Sequence, residues 1–343
     1  MFSLIDIPYI NKLEIEPTTF CNAGCPYCAR HVQGTSDQIS DLTLEHLPVH
    51  LLQKMKEQFD LYQGANTVSI WYCGNYGDSL MHPEFEQLFR YSAENFKSVG
   101  VHTNGGGRTT DFWANLGKVC KQNNNASVTF CIDGLEDTNH LYRRKVQWKK
   151  IMSNVQSFIS NGGYANWKMI VFDHNKHQVD EAKALANSMG FQDFSPEIST
   201  RQVLPNKEYK EVSAVAKKKT EIQIQKAKEI NETTSDESCI SCRGIDEQNM
   251  YLNPKGRIWP CCYMSEDYDL TIDRLEKKEP WLAEHYKNNF NNFNIHSLQE
   301  IFEAPAWKEI TDSWTTRKHE LKRCWKSCSN AKWKVSNTVD YFM

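Results

Sequence analysis

The chain has 343 residues, 40% hydrophobic and 24% charged, with a net charge of −3. This is the make-up of an ordinary globular protein with room for one large core and a smaller second unit. The charge gives no nucleic-acid footprint, and no apolar run is long enough to span a bilayer. Met1 to Ile10 carries Asp6 but no Lys or Arg, unlike a signal peptide, so the expected location is the cytoplasm.

From about residue 12 to 200 the pattern alternates strand and helix. Strand-length runs occur at Leu13 to Glu16, Val68 to Tyr72, Ser98 to Val101, Val128 to Ile132 and Met169 to Phe172. Read as apolar on both faces, they suit parallel strands covered by helices. Helical stripes lie between them. Thr43 to Phe59 is helical in character with a break or restart at Pro48. Pro83 opens a stripe through Phe85, Leu88 and Phe89, and Phe112 to Cys120 makes another. Trp148 to Ile159 is stopped by Gly162, and Val179 to Met189 by Gly190. Roughly six strand–helix units with right-handed crossovers predict an α/β fold, a partial (β/α)6 TIM-like barrel. Function then sits at the C-terminal strand ends.

After Pro205 the alternation stops. Residues 206–238 read as a polar helical linker containing Lys217, Lys218 and Lys219. Residues 239–343 read as a small C-terminal Fe–S domain, with little periodic structure before Leu298.

Of the twelve cysteines, Cys21, Cys25 and Cys28 share one loop after the first strand, and six lie between 239 and 328. In a reducing compartment this partition points to metal rather than disulfides. Three thiolates in one loop can hold three corners of a 4Fe–4S cube and leave the fourth iron open. A structural zinc loop, with His31 nearby, or buried free thiols are the alternatives.

The Cys-x3-Cys-x2-Cys spacing, with Tyr27 before the last Cys, resembles the radical S-adenosylmethionine (SAM) superfamily. Tyr76 to Glu84 looks like that family's Gly-Gly-Glu-Pro segment, with Gly77 and Asp78 on its second Gly and Glu. Thr103-Asn104-Gly105 matches its usual end of strand three. Asp133-Gly134, with Asn139, His140 and Arg143, matches a pattern after strand four. The resemblance implies that Cys21, Cys25 and Cys28 ligate a SAM-binding 4Fe–4S cluster. It places Tyr27, Tyr76, Gly77 and Asn104 in the SAM pocket. Asp78 would meet the SAM ammonium, shared with Tyr76; Asp133 would meet the ribose; Arg143 would meet the carboxylate. Asp78 is one methylene shorter than the family's Glu, and Tyr76 replaces its first Gly.

The chemistry implied is reductive cleavage of SAM to a 5′-deoxyadenosyl radical, which takes a hydrogen atom from a peptide or small metabolite. It calls for an external one-electron reductant of flavodoxin or ferredoxin type.

Cys242 is followed by thirteen residues, Gly256, four residues and Cys261, around a hairpin with its turn at Pro254 to Gly256. This resembles the shortened SPASM extension called Twitch. It implies a second, auxiliary 4Fe–4S cluster on Cys242, Cys261, Cys324 and Cys328, accepting an electron from the substrate radical. Cys239 and Cys262 are then left over as thiols. A cluster on Cys239, Cys242 and Cys261 with an open iron, and a zinc site, are the alternatives. Cys73, just past strand two, is either a packed thiol or a hydrogen-atom donor. Activation of a glycyl-radical enzyme, and a non-catalytic Fe–S or zinc scaffold, are the competing functions.

Overall fold

The computed structural model describes residues 10–198, 240–316 and 321–328. The predicted linker and Cys239 lie outside the described residues.

The expected parallel strands form as β1 (Lys12–Ile15), β2 (Ser69–Tyr72), β3 (Ser98–Thr103), β4 (Ala126–Cys131) and β5 (Ala165–Val171). A sixth, β6 (Asp193–Ile198), completes the series on the far edge. It holds Pro196, which an edge strand tolerates because one of its sides makes no ladder. The sheet is open, in the order β6-β5-β4-β3-β2-β1, and it continues past β1. The hairpin of the C-terminal region supplies β7 (Asn249–Leu252), parallel to β1, and β8 (Ile258–Trp259), antiparallel to β7. Both cysteine-rich regions are therefore built on one sheet. Asn253 shapes the hairpin turn, its Oδ1 accepting from the Lys255 and Arg257 amides at 3.1 and 3.0 Å. Gly256, at φ +75°, supplies the left-handed turn position.

The crossover helices are α1 (His50–Tyr62), α2 (Phe85–Asn95), α3 (Thr110–Asn123), the single turn α4 (Asn139–Tyr142), α5 (Trp148–Ser160) and α6 (Val179–Met189). Helix α1 begins only after Pro48. The preceding stretch is extended instead, with His46 bridged to Thr18 and the Leu47 amide on Pro17 O. A proline disfavours helix in the residue before it, and that decides the boundary. The stretch before Leu298, expected to hold little periodic structure, has short helices at Cys262–Tyr268, Ile272–Lys278 and Pro280–Lys287; another follows at Leu298–Glu303.

The strands are not apolar on both faces. Along β1, β2 and β5 every second side chain is buried against the helices, while the alternate ones stay half-exposed. The helix-facing side carries Leu13, Ile70, Val101, Phe130 and Trp167, packed with Trp113 and Phe158. Each fully buried aromatic of this kind contributes ~2–3 kcal/mol. The other face lines the concave interior and is polar. It carries the Lys12–Glu14 pair at 2.9 Å, Trp71 edge-on to His102, and the Lys168–Glu197 pair at 2.8 Å.

Candidate metal and SAM centre

The cysteine loop leaves the C-terminal end of β1 and is tied down from three sides. Gly24 N donates to Arg144 O at 2.8 Å, Ser36 Oγ donates to Gly24 O at 2.6 Å, and Asp78 N donates to Phe20 O at 2.9 Å. Cys25 is buried; Cys21 and Cys28 are half-buried. Burial, then Asp78 and the two neighbouring thiols, pushes the Cys21 thiol up to about 12. Burial pushes Cys25 up as well, against the pull of Arg143. Thiols that hinder one another's ionisation in this way suit a cationic metal centre that draws off their protons. Among the described residues, no three His, Cys, Asp or Glu side chains form a compact single-ion site. His31, the possible fourth zinc ligand, has its Nδ1 2.8 Å from Cys25 O.

Arg143 follows α4 and reaches the loop, its Nη1 3.6 Å from Cys25 Sγ. Its Nε donates to Asp133 Oδ2 at 2.7 Å. Burial works against the guanidinium charge, but Asp133 and then Cys25 outweigh it and hold the group protonated. Asp133 is fully buried, and its second oxygen accepts from Ile170 N at 2.7 Å. In the structure this carboxylate holds Arg143 in place.

Asp78 is also engaged. It accepts from Thr103 Oγ1 at 3.0 Å, from Leu80 N at 3.2 Å, and from the Asn104 backbone and side-chain amides at 2.8 and 2.6 Å. Burial pushes its carboxyl up. Asn104 in turn pairs with Asn22, at 2.8 and 3.2 Å. An incoming ammonium would have to displace the Asn104 amide. Gly77 is required by close approach, since a Cβ there would overlap Thr18 O. Tyr76 gives its hydroxyl to Glu266 O at 2.9 Å, in the C-terminal region. That side chain bridges the two regions, and its hydroxyl oxygen keeps its acceptor capacity. Tyr27 is half-buried and lines a cavity of about 500 Å³ with Cys28, Tyr76, Glu266, Arg274 and Lys322.

The structure also brings Cys242, Cys261, Cys324 and Cys328 together. Ser241 N donates to Cys328 O at 3.0 Å, and a Cβ on Gly244 would strike Pro260 O. Cys324 and Cys328 lie one helical turn apart on Lys322–Cys328. Burial raises the Cys324 thiol, and then Cys261, Cys242 and Cys328 raise it further. Cys262 lies near both Cys261 and Cys73: it adds to the burial that raises Cys261, and after Glu14 it adds to the burial that raises Cys73, which lies just past β2 with its amide on Ile15 O at 3.0 Å.

Glu16 was not singled out by the sequence reading. From the end of β1 it accepts from Tyr76 N at 2.7 Å, Gly77 N at 3.0 Å and Tyr251 Oη at 2.7 Å. It thus pins the loop after β2 and the hairpin to one carboxylate. Burial raises its pKa from 4.5 to about 7, against those hydrogen bonds. The native state therefore keeps a proton that the unfolded chain has lost. The resulting stability is complete below pH 4.5 and fades as pH climbs to about 7. Glu16→Gln is expected to remove that slope, matching wild type near pH 4.5 and gaining up to ~3 kcal/mol above pH 7. Anaerobic thermal unfolding of both proteins across this range checks it.

A radical SAM superfamily model matches residues 15–186, half of the chain. The chain belongs to the radical SAM superfamily. An iron–sulfur cluster-binding SPASM domain matches residues 239–329. This radical SAM protein is thus an enzyme. Its cofactors are a 4Fe–4S cluster, SAM and an auxiliary iron–sulfur cluster. Streptococcus suis SuiB bound to S-adenosylmethionine is similar, at 14% identity and a TM-score of 0.51, over 75% of this chain and 61% of that one. SuiB bound to its precursor peptide SuiA gives 13% and 0.58, over 89% and 67%. Native anSMEcpe with bound AdoMet gives 16% and 0.53, over 92% and 88%. At these identities the likeness is one of fold. No curated protein matches the chain in sequence. Among the described residues, no helix is long and apolar enough to cross a membrane.

Proposed function

We propose that this radical SAM enzyme oxidises a peptide substrate, starting with abstraction of a hydrogen atom. The reading is carried by two thiol sets, three residues and four, standing on one sheet with a polar cleft beside them. When bound, the SAM-binding cluster supplies the electron that cleaves SAM to a 5′-deoxyadenosyl radical. Cys21, Cys25 and Cys28 hold that cluster. Arg143, fixed by Asp133, meets the SAM carboxylate, and Asp78 meets the ammonium after Asn104 moves aside. Tyr27, Gly77 and Asn104 complete the pocket.

Cys242, Cys261, Cys324 and Cys328 would hold a single auxiliary 4Fe–4S cluster of the Twitch form, which when bound would supply an acceptor for the substrate's second electron. The substrate enters by the cavity of about 500 Å³ between Tyr27 and Arg274, where both signs of charge are present. Such a lining suits a polar peptide better than an apolar metabolite. SuiB has been captured with a precursor peptide, which favours the same substrate class.

Anaerobic reconstitution tests the proposal. About eight irons per chain are expected, with 5′-deoxyadenosine formed on reduction with SAM. Cys324→Ala is expected to lower the iron to about four while keeping slow SAM cleavage and losing substrate oxidation. No 5′-deoxyadenosine from an intact cluster would refute the enzymatic reading. Unchanged iron in Cys324→Ala would refute the auxiliary ligand set.

A further inference from the structure

Arg274 stands in the first turn of the helix Ile272–Lys278, behind Thr271, whose Oγ1 caps the helix by accepting from Arg274 N at 3.3 Å. A Glu or Gln at this position would close the cap from the other side. A cation here opposes the positive end of the helix dipole instead. The helix itself therefore supplies no reason for Arg274. Its side chain is half-buried and lines the cavity of about 500 Å³. Among the described residues, no carboxylate pairs with its guanidinium.

The acids in the same lining are already engaged. Glu266 Oε2 pairs with Arg323 Nη2 at 3.3 Å. Asp267 pairs with Lys278 Nζ at 2.9 Å and with Arg323 Nη1 at 3.6 Å. Glu279 is buried, and its Oε1 accepts from Tyr268 Oη at 3.2 Å and from Lys322 N at 3.1 Å. Five Lys and Arg side chains line the cavity beside these three acids, so the charge left over is positive. Tyr76 reports the guanidinium nearby: burial, then Glu266 and Glu16, push its hydroxyl pKa up, and Arg274 pulls it back.

A planar guanidinium binds a carboxylate through two parallel hydrogen bonds. A carboxylate also suits this cavity better than a phosphate dianion, whose second charge would meet Glu266, Asp267 and Glu279. Tyr27 and Cys28 line the same cavity, so a peptide gripped at Arg274 lies alongside the N-terminal thiols. We propose that Arg274 selects the substrate by pairing with a peptide carboxylate close to the residue that is oxidised. The inference rests on the function proposed above and narrows its substrate to an acidic segment. The carboxylate belongs to an Asp or Glu side chain or to the peptide's own C-terminus, and the experiment separates the two.

The test is titration calorimetry of short peptides into the oxidised, anaerobically reconstituted enzyme with SAM. The probes share the frame Ser-Ala-Xaa-Ala-Ser, acetylated and amidated, with Glu, Gln, Lys or phosphoserine at the centre. A further Gln probe keeps a free C-terminus. Either the Glu probe or the free-acid probe is expected to bind ~tenfold tighter than the amidated Gln probe, and whichever does so names the source of the carboxylate. Arg274→Gln is expected to erase that preference. Arg274→Glu is expected to transfer it to the Lys probe, a gain that only a folded cavity can show. Equal affinity of all probes for wild type, no detectable binding, or tightest binding of phosphoserine would overturn the proposal. So would a preference that survives Arg274→Gln, or no gain of the Lys probe in Arg274→Glu. A wild type that makes no 5′-deoxyadenosine on reduction would strike the proposed function, while the titrations still judge Arg274.

Discussion

Cys25→Ala is expected to abolish reductive cleavage of SAM, a fall of ~10³-fold or more, equivalent to about 4 kcal/mol of barrier. The size follows from the place of this thiol. It is the buried member of the trio, the one that Arg143 approaches at 3.6 Å. Losing it removes a proposed cluster ligand and the sulfur facing the guanidinium together. The fold itself should lose little, because one sulfur atom leaves a small gap that the loop's hydrogen bonds to Arg144 O and Ser36 survive. Chromatographic 5′-deoxyadenosine and the EPR signal of the reduced SAM-binding cluster should vanish together, with the auxiliary signal retained. Turnover at the wild-type rate would remove the assignment.

Asp133→Ala is expected to destabilise the protein by ~3–5 kcal/mol, because it strands a guanidinium below the surface without its counter-charge. The pair is buried on both sides, with 16% of the Arg143 side chain and none of the Asp133 side chain exposed. Asp133→Asn should cost less, since an amide oxygen still accepts from Ile170 N, which donates at 2.7 Å. Removing both charges in Asp133→Ala/Arg143→Met should restore much of the stability, but leave SAM affinity impaired. Denaturant unfolding of the four proteins, beside SAM titration, measures this. A double variant no more stable than Asp133→Ala would show that the loss comes from packing and not from the orphaned charge.

The barrel was legible because short apolar runs of strand length alternate with helical stripes, two of which stop at Gly162 and Gly190, whose φ values are +91° and +89°. The thiol trio was legible from spacing alone. β6 escaped notice because Pro196 and the polar residues around it carry no strand-like run; only pairing with β5 makes it a strand. The polar interior escaped for a related reason. Lys12, Glu14 and Lys168 alternate with apolar neighbours, but the apolar members caught the eye and suggested burial on both faces.

The partners of Asp78, Asp133 and Tyr76 could not be read from motifs, because each depends on a residue 10 to 190 positions away. Glu16 had a faint signal, a carboxylate ending an apolar strand. Its role emerged only once Tyr251 arrived from the other end of the chain.

That late arrival has a cost during synthesis. β1 leaves the ribosome long before residue 249 is translated, yet β7 is its neighbour on one side, register-matched from Lys12–Asn249 to Ile15–Leu252. Until then the nascent sheet ends in a bare row of amides and carbonyls, the kind of edge that recruits other chains. Ribosome-bound or truncated forms that stop before residue 240 are thus the aggregation-prone species, and a chaperone that shields β1 would raise the yield of the full-length enzyme.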